Sequence, residues 1–389
     1  MSEPARVLLF SQRSRAPVIS RCFSYEMEDT IAAVDAVDLI APGYRSALGD
    51  LVYRAVNKAG RGTSLLRALN PAVRPTPIRR AYPLFFAVFQ FATDLPTLNA
   101  LKGWRERSEQ AVCLVEELWA QDLGRFTTQL AILRRFDQVL TNCRSTVEPL
   151  AGAIGRPVHY IAPGIDALRF FPGERPPERC IDIYNLGRRD PATHAALLDY
   201  SRDRGRFYLY DTLQGNLPVQ DPRQHRELLA EKLRRTAFFI ANKAKVNEGG
   251  ERGTQEEVGF RFFEGAAAGT VMIGDPPDVA SFHENFDWPD AVVHLPYGSS
   301  EVAGLLDSLA QDPERLNRIR AANIRNSLER HDWSNRWQQI LQWTGLPASE
   351  DLQQRQAQLR RLADTRTPRP GTAGVPPASG PEARDPSTA

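Results

Sequence analysis

The sequence predicts an α/β protein made of two parallel-sheet units joined by a proline-rich connection. Three observations point there. Short apolar runs alternate with amphipathic helical runs along most of the chain, which is the signature of repeated βαβ units. The alternation breaks once, at residues 163–179 (PGIDALRFFPGERPPER), where four prolines and two glycines gather, a composition that suits a connection between units. It then restarts and continues to about residue 345.

Val7–Phe10 reads as a buried first strand, Glu26–Val34 as a helix, and Val37–Ala41 as a strand stopped by Pro42-Gly43. The Phe-rich run Leu84–Phe91 is short enough for a central strand, and Ala111–Leu118 is a further apolar run carrying Glu116 and Glu117 near its end. Asp122–Arg135 has helical spacing, Phe136–Leu140 is strand-like, Ser145–Ile154 is helical, and Val158–Ala162 closes the unit. No GxGxxG follows the first strand, which argues against an NAD-binding unit. The second unit places strands at Ile181–Leu186, Phe207–Tyr210, Phe238–Ala241, Val271–Ile273 and Val292–Leu295. Helices at Ala192–Asp203, Arg223–Arg234 and Phe260–Ala268 fall between them, and Ser300–Ala310, Pro313–Arg330 and Trp333–Trp343 end the fold. From about Thr365 the chain turns to Pro, Gly, Ala, Ser and Thr; it buries too little apolar surface to fold and is expected to be disordered. The resulting division is a first domain over 1–165, a linker over 166–180, a second domain over 181–347, and a helical extension with a disordered tail over 348–389.

Composition excludes several classes. With 42% apolar and 25% charged residues the chain is ordinary for a globular protein. Cys22, Cys113, Cys143 and Cys180 are scattered without a CxxC pair, so neither a zinc site nor a disulfide framework is indicated. The start has no signal-peptide pattern, and the longest apolar stretch, Pro83–Ala92, is half of what a spanning helix needs. A cytoplasmic protein is expected, free to touch the inner membrane face. Between Tyr44 and Tyr82 lie eight cations (Arg45, Arg54, Lys58, Arg61, Arg67, Arg74, Arg79, Arg80) against one acid, Asp50, with apolar residues between them. Peripheral contact of residues 44–82 with an anionic membrane and a solvated basic helix pair both satisfy this pattern. No nucleic-acid-binding module accompanies it.

The densest chemical signal is Glu256-Glu257-Val258-Gly259-Phe260-Arg261-Phe262-Phe263-Glu264, followed by Gly265-Ala266-Ala267-Ala268-Gly269. Glu256 falls in the loop before a helix and Glu264 on its second turn. A helix start presents unpaired N–H groups and partial positive charge to a pyrophosphate, and flanking carboxylates accept hydrogen bonds from sugar and ribose hydroxyls. The ordinary alternative is that both glutamates are solvated ends of a surface helix.

This stretch resembles the Glu-x7-Glu motif of retaining GT-B glycosyltransferases, the glycosyl transferases group 1 family. The run Tyr160-Ile161-Ala162-Pro163-Gly164-Ile165-Asp166, with Arg169-Phe170 and Pro172, is similar to that family's end-of-first-domain signature. Asn185-Leu186-Gly187-Arg188-Arg189 stands where the family has a Gly-Arg. The resemblance covers about residues 150–345. It implies the GT-B architecture, with two Rossmann-like doubly wound domains facing a cleft, and transfer of a hexose from a nucleoside-diphosphate sugar with retention. By the same resemblance Glu256 binds the donor hexose, Glu264 the ribose, and the backbone at Gly259 and Phe260 the pyrophosphate. Gly187 lies in the loop where Arg188 stabilises the leaving diphosphate, a role suited to a planar guanidinium. The acceptor is a glycan, a lipid-linked molecule or another hydroxyl compound. No cofactor or metal is expected, since no DxD-like pair stands in a convincing context.

The sequence departs from the family twice. The lysine expected soon after the Gly-Arg is replaced by Asp190-Pro191-Ala192-Thr193-His194, so Lys243 or Lys245 is a candidate to take its place. The first-domain histidine near the transferred sugar is absent too: His159, His194, His225, His283, His294 and His331 all lie at or after the end of that domain. Glu116 and Glu117 are candidate polar replacements. These departures keep two other readings open, a nucleotide-sugar-binding or scaffold protein of GT-B shape without catalysis and a sugar-nucleotide epimerase or phosphorylase on the same fold.

Overall fold

The computed structural model describes residues 4–14, 18–43, 48, 49, 51, 55, 73–213, 215 and 217–366. Most of the basic stretch 44–82 and the tail beyond residue 366 lie outside the described residues. The first lobe runs through β1 (Val7–Phe10), α1 (Cys22–Val34), β2 (Val37–Ile40), a short pair β3 (Thr76–Pro77) and β5 (Leu101–Lys102) around β4 (Tyr82–Phe91), then β6 (Ser108–Glu117), α2 (Thr127–Leu133), β7 (Gln138–Thr141), α3 (Val147–Ile154) and β8 (Val158–Tyr160). Its main sheet is parallel in the order β2-β1-β4-β6-β7-β8. The centre falls to β4 and β6 because their long apolar runs can be covered on both faces: Leu84 to Phe89 and Ala111 to Val115 are buried without interruption.

The second lobe follows the short helix α4 (Ala167–Phe170) with β9 (Ile181–Asn185), α5 (Pro191–Arg204), β10 (Tyr208–Tyr210), α6 (Pro222–Arg234), β11 (Thr236–Ile240), α7 (Gly249–Arg252), α8 (Phe260–Ala267), β12 (Val271–Gly274), α9 (Ala280–Asn285), β13 (Val293–His294), α10 (Val302–Ala310) and α11 (Pro313–Asn326). Its sheet is also parallel, in the order β10-β9-β11-β12-β13. Three of its helices start on an Asp-Pro pair. Asp190, Asp221 and Asp312 each accept an N–H of the first turn, and the proline that follows needs no donor there.

Two findings differ from the sequence expectation. Residues 163–171, the first half of the proline-rich stretch, form a packed joint. Ile165, Ala167 and Phe170 are buried, and the Ile165 N–H donates to His331 O while the Trp333 N–H donates to Ile165 O. Residue 347 is also not where the chain leaves the second lobe. After a wide turn at Ser327–His331 the chain crosses back, and α12 (Trp333–Thr344) lies on the first sheet with α13 (Glu350–Asp364) beside it. Trp333, Trp337, Ile340 and Leu341 share one core with Val7, Leu9, Met27 and Phe86. The Trp337 indole N–H donates to Asp35 (2.8 Å), and His159 stacks on Trp343 with ring centroids 4.7 Å apart. Asp122–Arg135 splits into a tight 3-10 stretch and α2, with Gly124 inside the former. Among the described residues, no helix is long and apolar enough to cross a membrane.

Candidate active site

The carboxyl edge of the second sheet faces the first lobe, and every donor-side residue predicted from sequence lies along it. After β11, Asn242 Oδ1 accepts the N–H of Asp275 (2.8 Å) and the Lys243 N–H donates to Asp275 O (2.9 Å), which locks the loops after β11 and β12 together. The Lys243 ammonium then lies 2.7 Å from Glu256 Oε1 and 3.2 Å from Asp275. Burial by itself would lower the pKa of this lysine, but the two carboxylates outweigh it and raise it.

Glu256 and Glu257, adjacent in sequence, do different work. Gln255 and Glu257 face the first lobe. Gln255 Oε1 accepts the Ala120 N–H (3.0 Å), and its Nε2 donates to Thr146 Oγ1 (3.2 Å) and to Glu257 (2.8 Å). The buried Glu257 carboxylate accepts the N–H groups of Arg144 (3.0 Å) and Ser145 (3.1 Å), the short turn that leads into α3. Glu256, between them, turns the other way to Lys243, with Arg252 at 3.7 Å. Gly259 caps α8, where a side-chain carbon would lie 3.1 Å from Asn242 O. Phe260, at the helix start, packs against Phe23 of α1 with ring centroids 3.8 Å apart and the planes tilted by 33°.

Glu264 is buried among arginines. Its Oε1 accepts Arg226 Nη1 (2.5 Å) and its Oε2 accepts Arg261 Nη1 (2.9 Å). Burial favours its neutral form, but Arg261 and Arg226 together hold the carboxyl below its ordinary range. Arg226 also reaches Glu26 on α1 through Nε (2.7 Å) and Nη2 (3.2 Å), so one guanidinium joins the two lobes. Near the end of β9, Gly187 takes a positive φ of 80° and gives its N–H to Asp211 (2.8 Å), while Arg188 pairs with Glu248. Lys245 lies over the Trp119 ring at 5.2 Å. The structure thus joins Lys243 to Glu256, but it gives Glu256 and Glu264 separate partners. Sequence reading gave no role to Glu26, Arg226, Gln255 or Glu257, whose partners in the other lobe lie more than 100 residues away in the chain, nor to Arg261, although its place three residues before Glu264 is a helical spacing that could have pointed to it.

Residues 210–342 match the model of a family described as "Glycosyl transferase-like". An alpha-glucosyltransferase solved with UDP-glucose and DNA containing an abasic site superposes with a TM-score of 0.52 at 12% identity, over 88% of this chain and 100% of that one. A UDP-forming alpha,alpha-trehalose-phosphate synthase from Burkholderia xenovorans gives 0.51 at 10%, over 90% and 99%. The N-terminal domain of a trehalose-6-phosphate phosphatase from Candida albicans gives 0.52 at 7%, over 89% and 98%. The protein is a glycosyltransferase of GT-B fold. A search of curated proteins returns no match to its sequence.

The first lobe of the glycosyltransferase meets this edge with carboxylates. Glu117, at the end of β6, accepts a hydrogen bond from Gln90 Nε2 (3.0 Å). Burial raises its pKa, while Lys245 and Arg188 from the second lobe pull it down and Glu248 pushes it up. Glu117 of the first lobe is therefore in the field of two cations and one carboxylate of the second. Behind them, Glu116 is buried and accepts from Ser24 Oγ (2.8 Å), and burial holds its carboxyl well above the usual range. Glu28 on α1 is buried as well, accepting Ser11 Oγ (2.5 Å) and Arg13 Nη2 (2.8 Å).

Burial pushes the Glu28 carboxyl up to about 7, against the pull of Arg13 and the Ser11 hydroxyl. A carboxyl raised on folding takes up a proton in the folded state, so its stabilising contribution is full below its unfolded pKa and fades as pH climbs through about 7. In thermal melts from pH 5 to 8, Glu28→Gln is expected to remove a pH-dependent loss on the order of 3 kcal/mol seen in the wild type. Parallel slopes for the two proteins would contradict it.

Proposed function

We propose that this glycosyltransferase moves a hexose from a nucleoside-diphosphate sugar to a hydroxyl of a glycan or lipid-linked acceptor, with retention. The observation that carries the reading is the contact of Glu256 with Lys243 beside the first turn of α8. It sets a carboxylate able to accept hexose hydroxyls next to a cation able to hold phosphate, at the carboxyl ends of parallel strands, where such sheets bind ligands. Lys243 takes the place of the lysine missing after Gly187-Arg188, and Lys245 supports it from the same loop. Arg188 and the N–H groups at Gly259 and Phe260 meet the charge that develops on the leaving diphosphate. On this reading the cations supply that charge stabilisation and no metal is required. Glu117 stands in for the absent histidine, accepting a hydrogen bond from the acceptor hydroxyl. Retention rests on the eight-residue spacing of Glu256 and Glu264. The structural relatives, solved with UDP or UDP-glucose or described as UDP-forming, make UDP-sugars the first donors to try.

A second reading, binding without transfer, is favoured by one observation: Glu264 already has a guanidinium on each oxygen. Incubation with UDP-, GDP- and ADP-sugars separates the two. Release of free nucleotide is expected, and saturable binding without release would favour the binding protein. If no sugar nucleotide shifts the thermal midpoint, the donor assignment falls.

A further inference from the structure

Glu264 is held by two arginines that differ in their freedom to move. Arg226 has a side chain only 4% exposed; it spends Nε and Nη2 on Glu26 and Nη1 on Glu264, and it lies over the Phe170 ring at 4.9 Å. Losing it would leave Glu264 with Arg261 alone and take two charged hydrogen bonds from the buried Glu26. Arg261 has a side chain 35% exposed and reaches Glu264 through Nη1. Its other terminal nitrogen, Nη2, lies 3.3 Å from where a side-chain carbon on Gly187 would stand. The tip of Arg261 therefore lies between the carboxylate and the glycine turn that precedes Arg188. If Arg261 turned away, Glu264 would still be neutralised by Arg226, so no buried charge would be left unpaired.

We propose that Arg261 is an exchangeable counter-ion of the donor site: it covers Glu264 until a nucleoside diphosphate enters, then turns onto the diphosphate beside Gly187 and uncovers Glu264 for the ribose hydroxyls. This rests on the donor reading given above. The geometry suits the exchange. A guanidinium pairs with phosphate through the same planar fork it offers a carboxylate, and the move is a rotation of one half-exposed side chain. Gly187 keeps the path clear, since a side chain there would crowd Nη2. The positive φ of Gly187 makes any other residue strained as well. The diphosphate thus makes room for the ribose, so the two halves of the nucleotide bind cooperatively.

Calorimetry on the full chain tests this with UDP, GDP and ADP, each beside its nucleoside, in wild type, Arg261→Gln, Arg261→Lys and Glu264→Gln. Arg261→Gln is expected to weaken the diphosphate that binds wild type at least tenfold while leaving the nucleoside unchanged or tighter, because Glu264 is then uncovered. Arg261→Lys should recover part of the loss. Glu264→Gln should weaken nucleoside and diphosphate alike. Equal losses of nucleoside and diphosphate in Arg261→Gln would mark Arg261 as a purely structural partner of Glu264 and overturn the proposal. Unchanged diphosphate affinity in Arg261→Gln, with binding lost in Glu264→Gln, overturns it while leaving the donor reading intact. If wild type binds none of the three diphosphates, the donor reading fails and the exchange fails with it.

Discussion

Arg226→Met is expected to lower the thermal midpoint by on the order of 10 °C, the largest stability loss of any single substitution in the interface between lobes. The reason is what the guanidinium leaves behind. Glu26 is buried and receives the Asp166 N–H (2.8 Å), Arg169 Nη1 (3.2 Å) and the Trp333 indole N–H (3.2 Å) in addition to Arg226. Glu264 would keep only Arg261. Removing one partner of a buried pair costs about 3–5 kcal/mol, whereas replacing a whole buried ionic group by apolar atoms is often near neutral. Methionine keeps much of the side-chain volume, so the loss reports charge more than a cavity. Adding Glu26→Gln to Arg226→Met should then recover part of the midpoint, since one stranded charge is gone and an amide still accepts hydrogen bonds. Scanning calorimetry reads both. A midpoint within about 2 °C of wild type for Arg226→Met would mean the network does not hold the lobes together.

The two sheets were legible in the sequence because parallel strands covered on both faces are short, continuous apolar runs. Val7–Phe10, Leu84–Phe91 and Ala111–Leu118 could hardly be anything else between helical stretches. The packed joint at 163–171 was not legible. Proline and glycine report local backbone preference, and they say nothing of Trp333, whose ring fills the space beside Gly164. The return of α12 to the first sheet was hidden for a similar reason. Its amphipathic spacing shows that one face is buried, not which sheet buries it. In the candidate site, spacing brought out Glu256, Gly259 and Glu264 because they share one loop and one helix. Glu26 and Arg226 are 200 residues apart in the chain, and nothing in the neighbourhood of either announces the other. In the sequence the choice between Glu256 and its neighbour Glu257 rests on the spacing to Glu264. In the structure it rests on which way each side chain faces.

That last choice gives the second large effect. Glu256→Gln is expected to reduce kcat/KM by about 10²-fold, the loss of one or two hydrogen bonds to a charged acceptor in a partly desolvated site. The thermal midpoint should stay within about 2 °C, because Glu256 is 24% exposed on its side chain and a partly solvated ion pair with Lys243 is worth under about 1 kcal/mol. Glu257→Gln should do the reverse. Its carboxylate receives two backbone N–H groups and the Gln255 amide where water does not compete. An amide of the same shape keeps one acceptor oxygen and turns an NH2 toward the other donors, at a cost of about 1–3 kcal/mol. The midpoint should fall by several degrees while the affinity for a sugar nucleotide changes little. Measured together, the two variants assign the roles without reference to any relative. If Glu257→Gln abolishes transfer and Glu256→Gln does not, the register of the motif is off by one residue, and the Lys243–Glu256 pair is a structural contact in place of a donor site.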